Sequence, residues 1–129
     1  MADTPTTVRQ RDGAAAEDAA LEHLQHLGMQ LVARNVSYKF GEIDLILRDA
    51  SSLVFVEVRF RRNSRFGGAA MSVDAPKRRK IARAAQAWLQ SHRQFASGDC
   101  RFDVVAVCPV EGGLECQWLR SAFTMDDLW

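Results

Sequence analysis

The sequence predicts an α/β domain, a mixed β-sheet with helices packed on both faces. Three observations carry this reading. Two adjacent β-rich runs, Ile43–Arg48 and Leu53–Phe60, have apolar residues on both alternating faces, as strands covered on both sides do. An Ala-rich helical segment precedes them, and a second amphipathic helical segment follows. A third apolar run, FDVVAVC at Phe102–Cys108, comes after that helix, which is the order of a right-handed crossover if its strand runs parallel to the one before.

The elements follow in order. Residues 1–12 are polar and are expected to form a flexible tail, leaving residues 13–129 as a single domain. The first helix is expected from about Gly13 to Leu27, with Asp12 as its cap and Gly28 ending it in the left-handed conformation. Its apolar stripe is Ala16, Ala20, Leu21, Leu24 and Leu27. Glu17 lies at the edge of that stripe, where it can snorkel outward, favour the helix N-terminus, or point over the sheet. An irregular strand, Gln30–Tyr38, leads to Gly41, which allows a tight entry to the next element.

That element is a hairpin joined by Asp49–Ser52. Ile43, Leu45 and Leu47 should face one layer, with Glu42, Asp44 and Ile46 facing the other; Val54, Val56, Val58 and Phe60 alternate with Leu53, Phe55, Glu57 and Arg59. If Arg48 faces Leu53, Asp44 lies opposite Glu57, and directly paired side chains have Cβ atoms about 4.5–5.5 Å apart. Two carboxylates so placed repel each other, and a divalent cation such as Mg²⁺ or Mn²⁺ would offset the cost. A one-residue slip would instead put them on opposite faces, and acids on a solvated strand face are ordinary.

Arg61–Val73 reads as a loop, loosest at Gly67–Gly68, and Asp74 as the N-cap of a helix reaching about Ser91 with Pro76 in its first turn. Ile81, Ala84, Ala85, Trp88 and Leu89 form its buried stripe. Asp103 in the following strand is expected to accept backbone hydrogen bonds, and Pro109 to stop that strand. Gly112–Gly113 turns into a last strand, Leu114–Leu119, after which Phe123 and Trp129 fold onto the body.

The net charge of +1 hides an uneven distribution. From Arg59 to Arg83 there are nine Lys or Arg residues and one acid, so the rest of the chain is net acidic. Such a stretch suits an anionic partner, nucleic acid first, or simply a solubilising face. Cys100, Cys108 and Cys116 lack zinc-ribbon spacing and are expected to be reduced, with Cys108 near the core. MADTPTTVRQ has no apolar signal segment and no run of 18 apolar residues exists, so a cytoplasmic protein without a membrane partner is expected.

Together, Glu17 in the Ala-rich helix, GEIDLI at Gly41–Ile46, VFVEVR at Val54–Arg59, the basic helix from Lys77, RFDVV at Arg101–Val105 and Ala122–Phe123 resemble the YraN family of small bacterial proteins. That family is similar to Holliday-junction resolvases and the wider restriction-endonuclease-like superfamily. The resemblance implies a resolvase-type core and a metal-dependent endonuclease acting on structured or branched DNA, or a non-catalytic nucleic-acid-binding relative. It implies Asp44, Glu57, the Val58 carbonyl and Glu17 as metal ligands for Mg²⁺ or Mn²⁺, with Glu17, Asp44, Glu57 and Arg59 as the catalytic set. Arg59 stands where the superfamily usually has a lysine, and arginine is a poor general base because it stays protonated. Arg61, Arg62, Arg65, Lys77, Arg78, Lys80 and Arg83 are the expected DNA contacts. By analogy with resolvases, a homodimer is a further option.

Overall fold

The structure is a computed structural model and describes residues 8–62 and 73–123. Arg65, Gly67–Gly68 and Trp129 lie outside the described residues. Helix α1 (Val8–His26) is followed by strands β1 (Gln30–Tyr38), β2 (Gly41–Asp49) and β3 (Ser52–Phe60). Helix α2 (Ala75–Ser91), a short 3₁₀ turn at Arg93–Phe95, and strands β4 (Cys100–Val110) and β5 (Gly113–Phe123) complete the fold. The five strands form one sheet in the order β1-β2-β3-β4-β5. Only β3 and β4 run parallel; the other neighbours are antiparallel. Helix α2 is the crossover that the parallel pair requires.

The two helices cover opposite faces. On one, Ile81, Ala82, Ala84, Ala85 and Trp88 of α2 pack with Ile43, Ile46, Phe55, Phe102, Val104 and Ala106. On the other, Ala16, Ala20, Leu21 and Leu24 of α1 pack with Leu45, Leu47, Val54, Val56, Val105 and Val107. This is the mixed sheet with helices on both faces expected from the two-sided apolar strands. Asp74 caps α2 as expected, its Oδ1 accepting the Lys77 N–H at 2.9 Å, with Pro76 in the first turn. Cys108 is buried, and all three cysteines are free thiols.

The differences have physical causes. Helix α1 begins at Val8 rather than near Gly13, so residues 8–12 of the expected tail are helical. The alanines around Gly13 favour helix strongly enough to carry that glycine inside it. Asp12 therefore does not cap; it pairs with Arg62 at 2.6 Å. Leu27 is not in the packing stripe but 53% exposed, because the helix ends at His26 and the chain turns at Gly28, where φ is 96°. Met29 is buried in its place, its N–H bonded back to the Leu24 carbonyl.

Pro109 does not stop β4, which runs on to Val110 with Pro109 opposite Leu114. Alternation of the backbone turns Pro109 toward β3, as it does Val107, but the β3 ladder ends at Phe60↔Val107, so no hydrogen bond is lost there. Strand β5 reaches Phe123, beyond the expected Leu119, because a bulge is held by a side chain. Ser121 has a positive φ of 53° and gives its N–H to Asp103 Oδ1 at 2.9 Å. Phe123 then stacks on Phe102 with ring centroids 4.8 Å apart.

Asp103 is fully buried and also accepts from Trp118 Nε1 at 2.9 Å and from Arg101 Nε at 3.1 Å. Arg101 continues to Asp49 at 2.8 Å, tying the hairpin turn to the start of β4. Asp103→Ala would leave the mostly buried Arg101 without its inner partner and the β5 bulge without its acceptor. It should cost about 3–5 kcal/mol, the usual result of breaking a buried pair from one side. Urea denaturation monitored by tryptophan fluorescence checks this; a midpoint like that of the natural protein would mean that the network contributes little.

Candidate active site

The site lies where the sheet divides. The β2–β3 ladder has the expected register, Arg48↔Leu53, but ends at Leu45↔Val56. Beyond that pair, the start of β2 is laddered only to β1, and the end of β3 only to β4. The Val58 N–H, which would continue the ladder, donates instead to Asp44 Oδ2 at 2.8 Å. Odd-numbered residues of β3 turn toward β4, as the bonds from Leu53 and Arg61 to the Asp99 and Val107 carbonyls show. The Val58 N–H and C=O therefore both face the division, beyond the last paired residues of the β2–β3 ladder.

Strand β2 does not alternate as expected through this point. Ile43 packs in the α2-side cluster together with Ile46, whereas Leu45 packs on the α1 side. The facing residue of β1, Asn35, has a positive φ of 54° and is missing from the ladder with Asp44. The local twist turns the strand over, so Asp44 is directed toward the β3 backbone instead of lying flat on the predicted face. The Asp44–Glu57 neighbourhood survives because Glu57 is the next residue of β3. At the start of β2, α2 comes so close that a Cβ on Gly41 would lie 2.9 Å from the Lys80 carbonyl carbon and nearer still to its oxygen. Gly41 thus permits the helix to approach, a stronger demand than the tight turn inferred from sequence.

Burial and the neighbouring Glu57 push the Asp44 carboxyl up to about 7, against the Val58 hydrogen bond, which favours the charged form; Glu17 and Glu42 push in the same direction as burial. Burial also raises the Glu57 carboxyl, opposed by Lys77 and Arg59. Lys77 Nζ lies 3.7 Å from Glu57 Oε1, so the first turn of α2 supplies a counter-charge. Glu17 faces the sheet, with its side chain 20% exposed and its Oε1 3.7 Å from Arg34 Nε. Burial raises its carboxyl too, and Arg34 lowers it. Arg34 also pairs with Asp18. Sequence reasoning named neither Arg34 nor the role of Glu42, because β1 is too irregular for its pattern to show which residues face α1.

Arg59, Arg61, Glu57, Val58, Asp74 and Lys77 line a pocket of about 320 Å³ beside the division. Among the described residues, Arg59 Nε is buried without a hydrogen-bond partner. Burial, with Arg61 nearby, lowers the Arg59 guanidinium from its ordinary value. The remaining basic residues differ in availability. Arg62 is largely exposed while pairing with Asp12, and Lys80 and Arg83 are exposed, Arg83 lying 5.0 Å above the Phe40 ring. Arg78 is half-buried, donates Nε to the Val73 carbonyl at 2.6 Å, and sits over Phe123. It holds the approach to α2 and is the least available of the expected DNA contacts on that helix. Exposed Arg79, absent from those expectations, is the more accessible cation.

Among the described residues, no three His, Cys, Asp or Glu side chains converge closely enough to hold a metal ion by themselves. Glu17, Asp44 and Glu57 thus share a neighbourhood without forming a three-carboxylate cage. No described helix is long and apolar enough to cross a membrane. Residues 16–107 match the sequence model of a family described as an uncharacterised protein family, UPF0102. A UPF0102 protein of Xanthomonas campestris pv. campestris is 51% identical over 119 residues, 92% of this chain and 96% of the relative. One from Xylella fastidiosa is 48% identical over 122 residues, 92% and 97% of the two chains. One from Stutzerimonas stutzeri is 46% identical over 114 residues, 88% and 95%.

The raised Asp44 value has a definite sign. An unfolded aspartate titrates near 3.9, so between about pH 4 and 7 the folded chain binds the extra proton and stability falls as pH rises. Asp44→Asn keeps an oxygen for the Val58 N–H and removes the charge. In metal-free buffer it should flatten that fall and exceed the natural protein by about 1–2 kcal/mol at pH 8. Urea midpoints from pH 5 to 8 decide this; parallel curves for the two proteins would show that Asp44 is not held in a charge-averse site.

Proposed function

The chain belongs to the UPF0102, or YraN, family, and we propose that it is a cytoplasmic, metal-dependent endonuclease-like protein of the resolvase type, acting on structured or branched DNA. The observation that carries this reading is the pair of half-buried, mutually repelling carboxylates at the division between β2 and β3, with cations along one side. A site with that excess of negative charge suits a hard divalent cation.

The donor chemistry fits Mg²⁺ or Mn²⁺. Asp44 and Glu57 offer carboxylate oxygens and Val58 an unladdered carbonyl, a set that leaves room for the waters such ions retain. Glu17 would act from α1 as an outer acid. When bound, the ion would supply water activation and polarisation of the scissile phosphate. The protein's own part is positional. The Val58 N–H fixes the Asp44 carboxylate, and Lys77 tempers the charge of Glu57. Arg59 stays protonated, so its role is to hold water or stabilise charge on the phosphorane, with Asp44, Glu57 and Glu17 completing the catalytic set.

Around this centre, Arg61, Arg62, Lys77, Lys80 and Arg83 would bind backbone phosphates without reading bases, giving preference for structure over sequence. Two copies would present two such sites to the symmetric strands of a junction. A second reading, a nucleic-acid-binding protein that retains the fold without efficient turnover, is favoured by Arg59 at the usual lysine position and by the lack of a three-ligand cluster among the described residues.

Single-turnover cleavage of branched, flapped and linear DNA with Mg²⁺ or Mn²⁺ tests both readings. The natural protein should cut branched substrates, and Asp44→Asn should lose about 100-fold or more, the scale on which a key electrostatic group acts. Arg59→Lys should be neutral or harmful because it lacks the planar fork. A large gain for Arg59→Lys over a nearly silent natural protein would identify a degenerate nuclease, and binding without cleavage would support the second reading. Independently of turnover, Mn²⁺ should raise the melting temperature of the natural protein and leave Asp44→Asn unmoved.

For the basic surface, Lys80→Glu should weaken affinity for unrelated DNA sequences alike and reduce the salt slope by about 1 or more. Fluorescence anisotropy from 50 to 200 mM salt measures it. An unchanged slope would return this part of α2 to a merely solvated face.

A further inference from the structure

The pocket beyond Glu57 is chemically different from the carboxylate pair beside it. Its lining includes Arg59, Arg61 and Lys77 but neither Asp44 nor Glu17. Three of its charges are already engaged. Lys77 faces Glu57 at 3.7 Å, and Asp74 accepts the Lys77 N–H at the start of α2, where a carboxylate is favoured. Arg59 and Arg61 are left, and among the described residues neither side chain has an ion-pair partner. Among the same residues, Arg59 Nε also lacks a hydrogen-bond acceptor. Two like charges two residues apart, at and just beyond the end of β3, repel, and partial burial of the Arg59 side chain increases the cost. An anion with several acceptor oxygens would relieve both.

We propose that Arg59 and Arg61, with Lys77 at the rim, form a subsite for a phosphate dianion, and that its natural source is the terminal phosphate monoester of a nucleic-acid strand. The charge selects the monoester. It carries about −1.5 to −2 at neutral pH and three acceptor oxygens for the two guanidiniums and Lys77, whereas an internal diester carries a single charge and fewer free oxygens. Guanidinium forks also suit phosphate oxygens in paired hydrogen bonds. The position beside Glu57 places a strand end next to the carboxylates while leaving them for a different phosphate, with Arg59 then holding the strand end in place of the phosphorane. The choice of a nucleic-acid source rests on the function proposed above; the phosphate subsite itself does not.

The test uses the full chain in EDTA buffer, so that no metal can recruit phosphate to Asp44 and Glu57. Isothermal titration compares inorganic phosphate with one tetranucleotide carrying a 5′-phosphate, a 3′-phosphate or hydroxyls at both ends. One of the phosphorylated forms should bind about tenfold more tightly than the hydroxyl form. Arg61→Gln should abolish that difference, and Arg61→Lys should restore part of it. Arg61 keeps its backbone bond to Val107 in every variant, so the strand is not disturbed. Lys80→Gln, at an exposed position of α2 outside the pocket lining, should weaken all oligonucleotides together and keep the ratio. Equal affinity for phosphorylated and hydroxyl ends, or a preference that survives in Arg61→Gln, would overturn the proposal. Inorganic phosphate binding that depends on Arg61 without discrimination among strand ends would reject the nucleic-acid source. Failure of DNA cleavage would leave this metal-free comparison intact, so the two readings fail separately.

Discussion

The hydrogen bond from the Val58 N–H to Asp44 is the constraint on which the candidate site depends. A ladder that continued past Leu45↔Val56 would bring β2 and β3 together and fill the space with paired backbone. The carboxylate takes the place of one ladder acceptor, allowing the strands to part without leaving the Val58 donor buried and unsatisfied. The same bond holds Asp44 among Glu57, Glu17 and Glu42, all of which oppose its ionisation. The division exists because a side chain terminates the pairing, and the charge is there because that side chain is an acid.

A fully buried aspartate and a half-buried one show why burial alone does not mark a functional group. Asp103 receives hydrogen bonds from Arg101, Trp118 and the Ser121 backbone, and those partners bind β4, β5 and the hairpin turn into one unit. Its surroundings are complementary to a carboxylate and ask for no ligand. Asp44 has one backbone donor and several acids nearby. An acid solvated by donors is architecture, while an acid crowded by other acids calls for a cation or a proton.

Basic charge divides in a similar way. Arg101 and Arg78 are largely occupied, the first by Asp103 and Asp49, the second by the Val73 carbonyl and the Phe123 ring. Both carry positive charge, yet they serve packing. Lys80, Arg79 and Arg83 are exposed on α2, and Gly41 lets that helix lie close against β2. The close approach brings the helix N-terminus, with Lys77, over Glu57. A small residue at the start of one strand thereby sets the counter-charge at the end of another.

Much of this was legible from residue pattern because it is local. The hairpin register follows from apolar alternation around a short connection, and Asp74, Pro76 and the Ile81–Trp88 stripe define α2 through capping and helical period. A parallel β3–β4 pair was foreseeable from a helix between two apolar runs, and the proximity of Asp44 to Glu57 followed from the register. Tertiary structure alone decided what depends on several elements at once. The positive φ at Asn35 and the loss of its pairing with Asp44 turn β2 over and send Asp44 toward the β3 backbone. Contact with β1 gives Glu17 its Arg34 partner, and the end of the β3 ladder makes Pro109 harmless within β4. Periodicity records which residues of one element share a face, but a carboxyl's partners and the point where two strands part are set by neighbours distant in sequence.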